Sequence, residues 1–135
     1  MKIELERFRI KPGMSQRADE WMKMLNNRLP ECLATFPREK MALELIFRDT
    51  IDGSDYLYWF SIQGEGGESV HTSEHDLDIE HIKFSRECID TEYGVTDEQG
   101  QHQVGHDLAL QVFMAPDQVL AALRQTAGEN GTMPA

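Results

Sequence analysis

The groups best able to do chemistry in this chain are its histidines, for His71, His75, His81, His102 and His106 all fall between residues 71 and 106. On a helix, which turns about 100° per residue, His75 and Asp78 stand about 60° apart and can meet. A carboxylate so placed poises an imidazole near neutral pH, which makes His75 and Asp78 the candidate acid/base pair; the same contact also serves as a purely structural hydrogen bond. His81 lies about 60° further round and roughly 9 Å along the axis from His75, so the two do not easily share one ion. The spacings His71–His75 and His102–His106 would suit a helical metal pair, yet Ser73 would cap a helix between the first two and Gly105 interrupts the second. No metal site and no cofactor are expected. The loop Gly64-Glu65-Gly66-Gly67 lacks the Lys and Ser/Thr of a phosphate loop, and Glu65 and Glu68 would repel phosphate.

A second group mixes charge with aromatic rings. Arg7, Glu44, Arg48 and Gln111 could form a polar lining beside Tyr58, Trp59 and His81, the combination found in small-molecule sites. The alternative is that these charges pair at strand ends or face water.

The elements that must position these groups follow from the spacing of apolar residues. Residues 2 to 10 alternate as a strand and end at Lys11-Pro12-Gly13. Its phase slips: Ile3 and Leu5 share a parity with Arg7 and Arg9, while Phe8 and Ile10 share the other with Glu4 and Glu6. Either a bulge re-aims the strand or charged residues occupy a half-buried surface. Met14, Ala18, Trp21, Met22, Leu25, Leu29, Leu33 and Phe36 form one helical stripe with Ser15 as its cap, and Pro30 predicts a kink or break near Asn26 to Leu29. Met41 to Arg48 and Tyr56 to Gln63 read as an antiparallel hairpin around Asp52-Gly53, with a loop of several residues. Ser73 and Asp76 match a capping box that opens a helix to about Ile89. Residues 92 to 106 read as an irregular connection, Asp107 to Met114 as a fourth strand, and 117 to 127 as a terminal helix begun by Pro116. The expected fold is α+β: a ferredoxin-like βαββαβ unit with a four-stranded antiparallel sheet and an extra C-terminal helix. It occupies one domain over 1–127, with 128–135 a flexible tail.

Helices cover one face of such a sheet, yet the third strand is apolar on both, with Tyr56, Tyr58, Phe60 and Ile62 on one side and Leu57 and Trp59 on the other. A homodimer through the open sheet face is expected; the alternative is that the terminal helix folds back over it. The histidine-bearing helix likewise has two apolar edges, Ile79, Ile82 and Ile89 beside His75, and Leu77, Phe84 and Cys88 beside His81.

Composition narrows the partners. The chain has 135 residues, 24 acidic against 13 basic, and a formal charge of −11, which makes nucleic acid and anionic membrane poor partners. No apolar stretch approaches a membrane span, and Met1-Lys2-Ile3-Glu4-Leu5-Glu6 carries charge where a signal peptide needs hydrocarbon. Cys32 and Cys88 are too few for a disulfide scaffold and are read as reduced, buried thiols. A cytoplasmic protein is expected.

Ile3-Glu4-Leu5, Arg7-Phe8-Arg9, Lys11-Pro12-Gly13, Glu20-Trp21-Met22, Tyr56-Leu57-Tyr58-Trp59, Gln63-Gly64-Glu65-Gly66-Gly67, Ser73-Glu74-His75 and Glu87-Cys88-Ile89-Asp90, with Asp78 and His81, resemble a small bacterial family of uncharacterised proteins over about residues 1–94. More distantly the architecture is similar to dimeric α+β barrels, the group that holds antibiotic-biosynthesis monooxygenases and related small enzymes. That resemblance implies the fold and dimerisation and places no catalytic motif. Two functions are expected from all of this. One is a small-molecule binder with a cavity between sheet and helices, as a monooxygenase-like or isomerase-like enzyme that needs no cofactor; the other is a non-catalytic structural or regulatory homodimer.

Overall fold

The computed structural model describes residues 1–108 and 117–126. The elements run β1 (Lys2–Arg9), α1 (Ser15–Asn27), α2 (Leu29–Glu39), β2 (Met41–Ile51), β3 (Ser54–Gln63), a single 3-10 turn (Val70–Thr72), α3 (Asp76–Cys88), β4 (Gly94–Thr96), β5 (His102–Val104), β6 (His106–Asp107) and α4 (Asp117–Thr126). This is a mixed α+β chain. Its main sheet is four-stranded and antiparallel in the order β2-β3-β1-β6.

Pro30 does what its missing N–H dictates. The stripe from Met14 to Phe36 divides at Arg28, whose own N–H closes α1 on the Met24 carbonyl, and Pro30 stands in the first turn of α2, where no donor is needed. Lys40, at φ 54°, ends α2 in the left-handed region and releases the chain into β2.

The β2–β3 hairpin is longer and its turn tighter than the sequence pattern suggests. Pairing continues to Ile51 opposite Ser54, leaving Asp52 and Gly53 alone at φ 50° and 79°, the paired positive angles that match the twist of the flanking strands. β1 pairs with β3 without interruption from Lys2–Gln63 to Arg9–Tyr56, so no bulge re-aims it. The bulge lies instead in β2, between Met41 and Leu43.

Because residues directly opposite one another share a face, these registers assign every strand residue a side. The rows Glu4–Ser61–Glu44, Glu6–Trp59–Ile46 and Phe8–Leu57–Arg48 face the helices, and Leu5–Phe60–Leu45 and Arg7–Tyr58–Phe47 face the opposite way. Charged residues thus do occupy a half-buried surface. The core beneath the helices is built from Ile10, Ala18, Trp21, Leu57, Phe84, Cys88 and Ile89, with Phe8, Trp59 and Ile46 packed against it.

Three further expectations need correction. The cap of α3 is His75, whose Nδ1 accepts from the Leu77 N–H at 3.3 Å; Ser73 sits outside the helix and accepts from the His75 N–H at 3.0 Å. Residues 92 to 106, expected to be irregular, contain the short β4–β5 hairpin, turned over Asp97 to Gly100. Of α3's two apolar edges, Leu77, Phe84 and Cys88 are buried, whereas the other is covered only in part, with Ile89 buried and Ile79 56% exposed. Of the fourth strand expected over 107–114, Asp107 lies in β6 beside β1 and the Leu108 N–H donates to the Leu5 carbonyl, while the rest, with Gln111 and Phe113, and the tail 128–135 lie outside the described residues. Among the described residues no helix is long and apolar enough to cross a membrane.

Candidate functional site

Between the sheet and its helices lies a cavity of about 850 Å³. Its floor is the helix-facing side of the strands, with Glu4, Glu6, Glu44, Trp59, Ser61 and Gln63, and its roof is Trp21 of α1, Thr35, Phe36 and Glu39 of α2, and Asp78 and His81 of α3. The chain's two tryptophans both line it.

An aromatic and imidazole cluster holds one end. Trp21 donates its indole N–H to His81 Nδ1 at 3.0 Å, and the ring centres of Trp21 and Trp59 stand 5.4 and 5.6 Å from that of His81. Burial pushes the imidazole down to about 4, against the opposing pull of Asp78. At neutral pH the ring is therefore uncharged, and with Nδ1 used as an acceptor its one proton is on Nε2.

Carboxylates dominate the rest. Asp78, only 4% exposed, faces the Arg38 guanidinium at 3.4 Å, and Arg38 also pairs with Glu68 at 2.9 Å. Glu4 pairs with Lys2. Glu39 is pushed up to about 7 by burial first and then by the neighbouring charges of Asp78 and Glu44; the Thr35 hydroxyl, donating at 3.3 Å, and Arg38 pull weakly the other way. Burial also raises Glu44, with a hydrogen bond from Trp59 offsetting part of the rise, and raises Glu6, with Asp107 adding to it. The site thus holds a neutral imidazole, a carboxyl that exchanges its proton near neutrality, and two further carboxyls held above their ordinary range.

The opposite face of the sheet is different in kind. Leu5, Leu45, Phe47, Tyr58 and Phe60 line a shallow apolar groove there. At its side Arg7 donates from Nε to the Tyr93 hydroxyl at 2.6 Å and lies over the rings of Tyr56, Tyr58 and Tyr93.

Of the residues singled out from sequence, Glu44, Trp59, Asp78 and His81 come together at the cavity. His75 and Asp78 do not form a pair, because His75 is engaged as the α3 cap while Asp78 turns to Arg38. Arg7 and Tyr58 are on the far face, which separates them from Glu44. Arg48 shares the helix-facing side but ties β2 to α1 and β3 through Asp19 and Asp55. Gln111 lies outside the described residues. Sequence reasoning passed over Trp21, Glu6 and Glu39. Trp21 was legible as a stripe residue and hides its polar function in an apolar pattern; Glu39 sits in a charged run, Arg38-Glu39-Lys40, that reads as a solvated helix end.

Among the described residues no three His, Cys, Asp or Glu side chains are arranged to hold a metal ion. No curated protein and no solved structure matches the chain. A family model does match, over residues 1–121, well beyond the segment around residue 94 where the quoted motifs end, and on that match the chain belongs to a family of unknown function, DUF6176.

Proposed function

We propose that this protein binds a small organic molecule in the cavity between its sheet and its helices and moves a proton on it, in the manner of an isomerase. The observation that carries this reading is Glu39: a carboxyl with a pKa of about 7 on the wall of a cavity of about 850 Å³ is poised to give and take a proton at physiological pH. His81, neutral and fixed in one tautomer by Trp21, supplies an Nε2 proton as a second donor. The cavity has the size usual for a small-molecule site. We place the cavity in a ferredoxin-like unit, a reading supported by the sheet order β2-β3-β1-β6 with α1 and α3 on one face. The two free thiols, Cys32 and Cys88, favour a reducing, cytoplasmic setting.

The structural expectation of a homodimer keeps its own support. Leu45 and Phe47 on the open face are 44% and 55% exposed although α4 lies against β2, and two such faces packed together would close both sheets.

The cavity reading is tested by intrinsic fluorescence, because both tryptophans stand at the cavity. A panel of small aromatic and aliphatic compounds is titrated against the native protein and against Ser61→Phe, which fills the floor. A saturable change in the native protein that Ser61→Phe abolishes is expected. No saturable change with any compound, or an undiminished one in Ser61→Phe, rejects the site.

A further inference from the structure

Resting on the cavity reading above, we propose that the molecule taken there is an amine in its protonated form on an apolar or aromatic body, its ammonium held by Glu44 against the face of Trp59. The carboxylates around the cavity are unequal. Glu4 is satisfied by Lys2, and Asp78 and Glu68 by Arg38. Glu44 has no ion-pair partner among the described residues, although it stands on the cavity floor in the row Glu4–Ser61–Glu44. Its single aid is the Trp59 indole N–H, a neutral donor. A carboxylate in so sheltered a place either keeps a proton or meets a cation, since burying it bare costs several kcal/mol. Among the described residues no side-chain cation pairs with it, so a cationic ligand is what would let it give up its proton there.

The walls fit the rest of such a ligand. Trp59, backed by the buried Trp21 with ring centres 5.8 Å apart, and Phe8, 6.2 Å from Trp59, offer ring surface beside the carboxylate. An ammonium over an indole gains from the ring quadrupole as well as from the carboxylate, most of all where water is excluded. Anionic ligands meet the reverse: Glu6, Glu39, Glu44 and Asp78 line the same space and outnumber its cations Lys2, which is paired with Glu4, and Arg86, in a molecule of net charge −11.

Three probes of one shape and different charge test this: phenethylamine, 2-phenylethanol and phenylacetate, titrated by tryptophan fluorescence and by calorimetry at neutral pH. Phenethylamine is expected to bind at least about tenfold more tightly than 2-phenylethanol, and phenylacetate more weakly than either. In Glu44→Gln, which keeps the shape and an acceptor for the Trp59 N–H, the amine loses that advantage while 2-phenylethanol binds as before. Equal binding of amine and alcohol, preference for phenylacetate, or an amine advantage that survives Glu44→Gln each overturns the proposal and leaves the cavity reading standing. If these three fail while other compounds of the panel bind, the amine class is rejected alone. If nothing in the panel binds, the cavity reading falls and this inference with it.

Discussion

Trp21 donates its indole N–H to His81, and that bond decides which ring nitrogen keeps the proton. The consequence is measurable through pH. His81, with a folded pKa of about 4 below its ordinary 6.5, contributes stability that is complete above pH 6.5 and is lost as the pH falls through 4. Glu39 has the opposite sign: its folded pKa of about 7 lies above 4.5, so its contribution is complete below pH 4.5 and is lost as the pH rises through 7. Both groups are partly wetted, so each limb is worth on the order of 1 kcal/mol once solvent screening is allowed for. The urea midpoint is expected to peak between about pH 5 and 6.5, with Glu39→Gln flattening the alkaline limb and His81→Gln the acid limb. A midpoint in Glu39→Gln that still falls as the pH rises from about 6.5 through 7, as in the native protein, would remove that carboxyl from the account. Trp21→Phe should cost about 2 kcal/mol by chemical denaturation, from the lost hydrogen bond and the space left in the core. At this scale spacing alone revealed little. It brought His81 and Asp78 near each other on one helix, but His75 was drawn away by a backbone donor that no side-chain pattern displays.

Elements were more legible, because periodicity records them directly. The break forced by Pro30 and the Asp52-Gly53 turn both follow from backbone rules that act within a few residues. What escaped is short or depends on a distant strand. β4 and β5 have three residues each, too few to show alternation, and the side on which Arg7 lies is set by its register with Tyr58. Gly53 in its turn and Gly94 in β4 behave differently, and the difference is a test. Gly53 has φ 79° with open space around it, so Gly53→Ala should cost about 1 kcal/mol of backbone strain. Gly94 lies so close to β5 that an added Cβ would stand 1.8 Å from the Gln103 carbonyl oxygen. Gly94→Ala must therefore part the hairpin, at a cost of about 2 kcal/mol or more, and shift the neighbouring Tyr93 off Arg7. Thermal melts of the two variants check the order; a Gly94→Ala protein no less stable than Gly53→Ala would show that β4 and β5 are not so closely paired.

At the scale of the molecule the sheet reverses the usual arrangement. Its covered face carries Glu4, Glu6 and Glu44 into a cavity, while its open face carries Leu5, Leu45, Phe47 and Phe60. The first half of that reversal is supported by α1, α2 and α3, which hold the carboxylates away from bulk water and so tune them. The second half favours a covering surface, since hydrocarbon on a sheet face gains about 25 cal/mol for each Å² withdrawn from water. A second copy satisfies this without placing a charge in the groove, whose lining of Leu5, Leu45, Phe47, Tyr58 and Phe60 is wholly uncharged. The native protein is expected to sediment as a dimer, and Leu45→Glu with Phe47→Glu to sediment as a monomer, because two carboxylates on each facing groove repel their copies across the joint. Both positions point away from the cavity, so the double variant should keep the native circular dichroism spectrum and the same response to cavity compounds. A native protein that stays monomeric at high concentration, or a double variant that remains dimeric, would mean that the open face is not where copies meet.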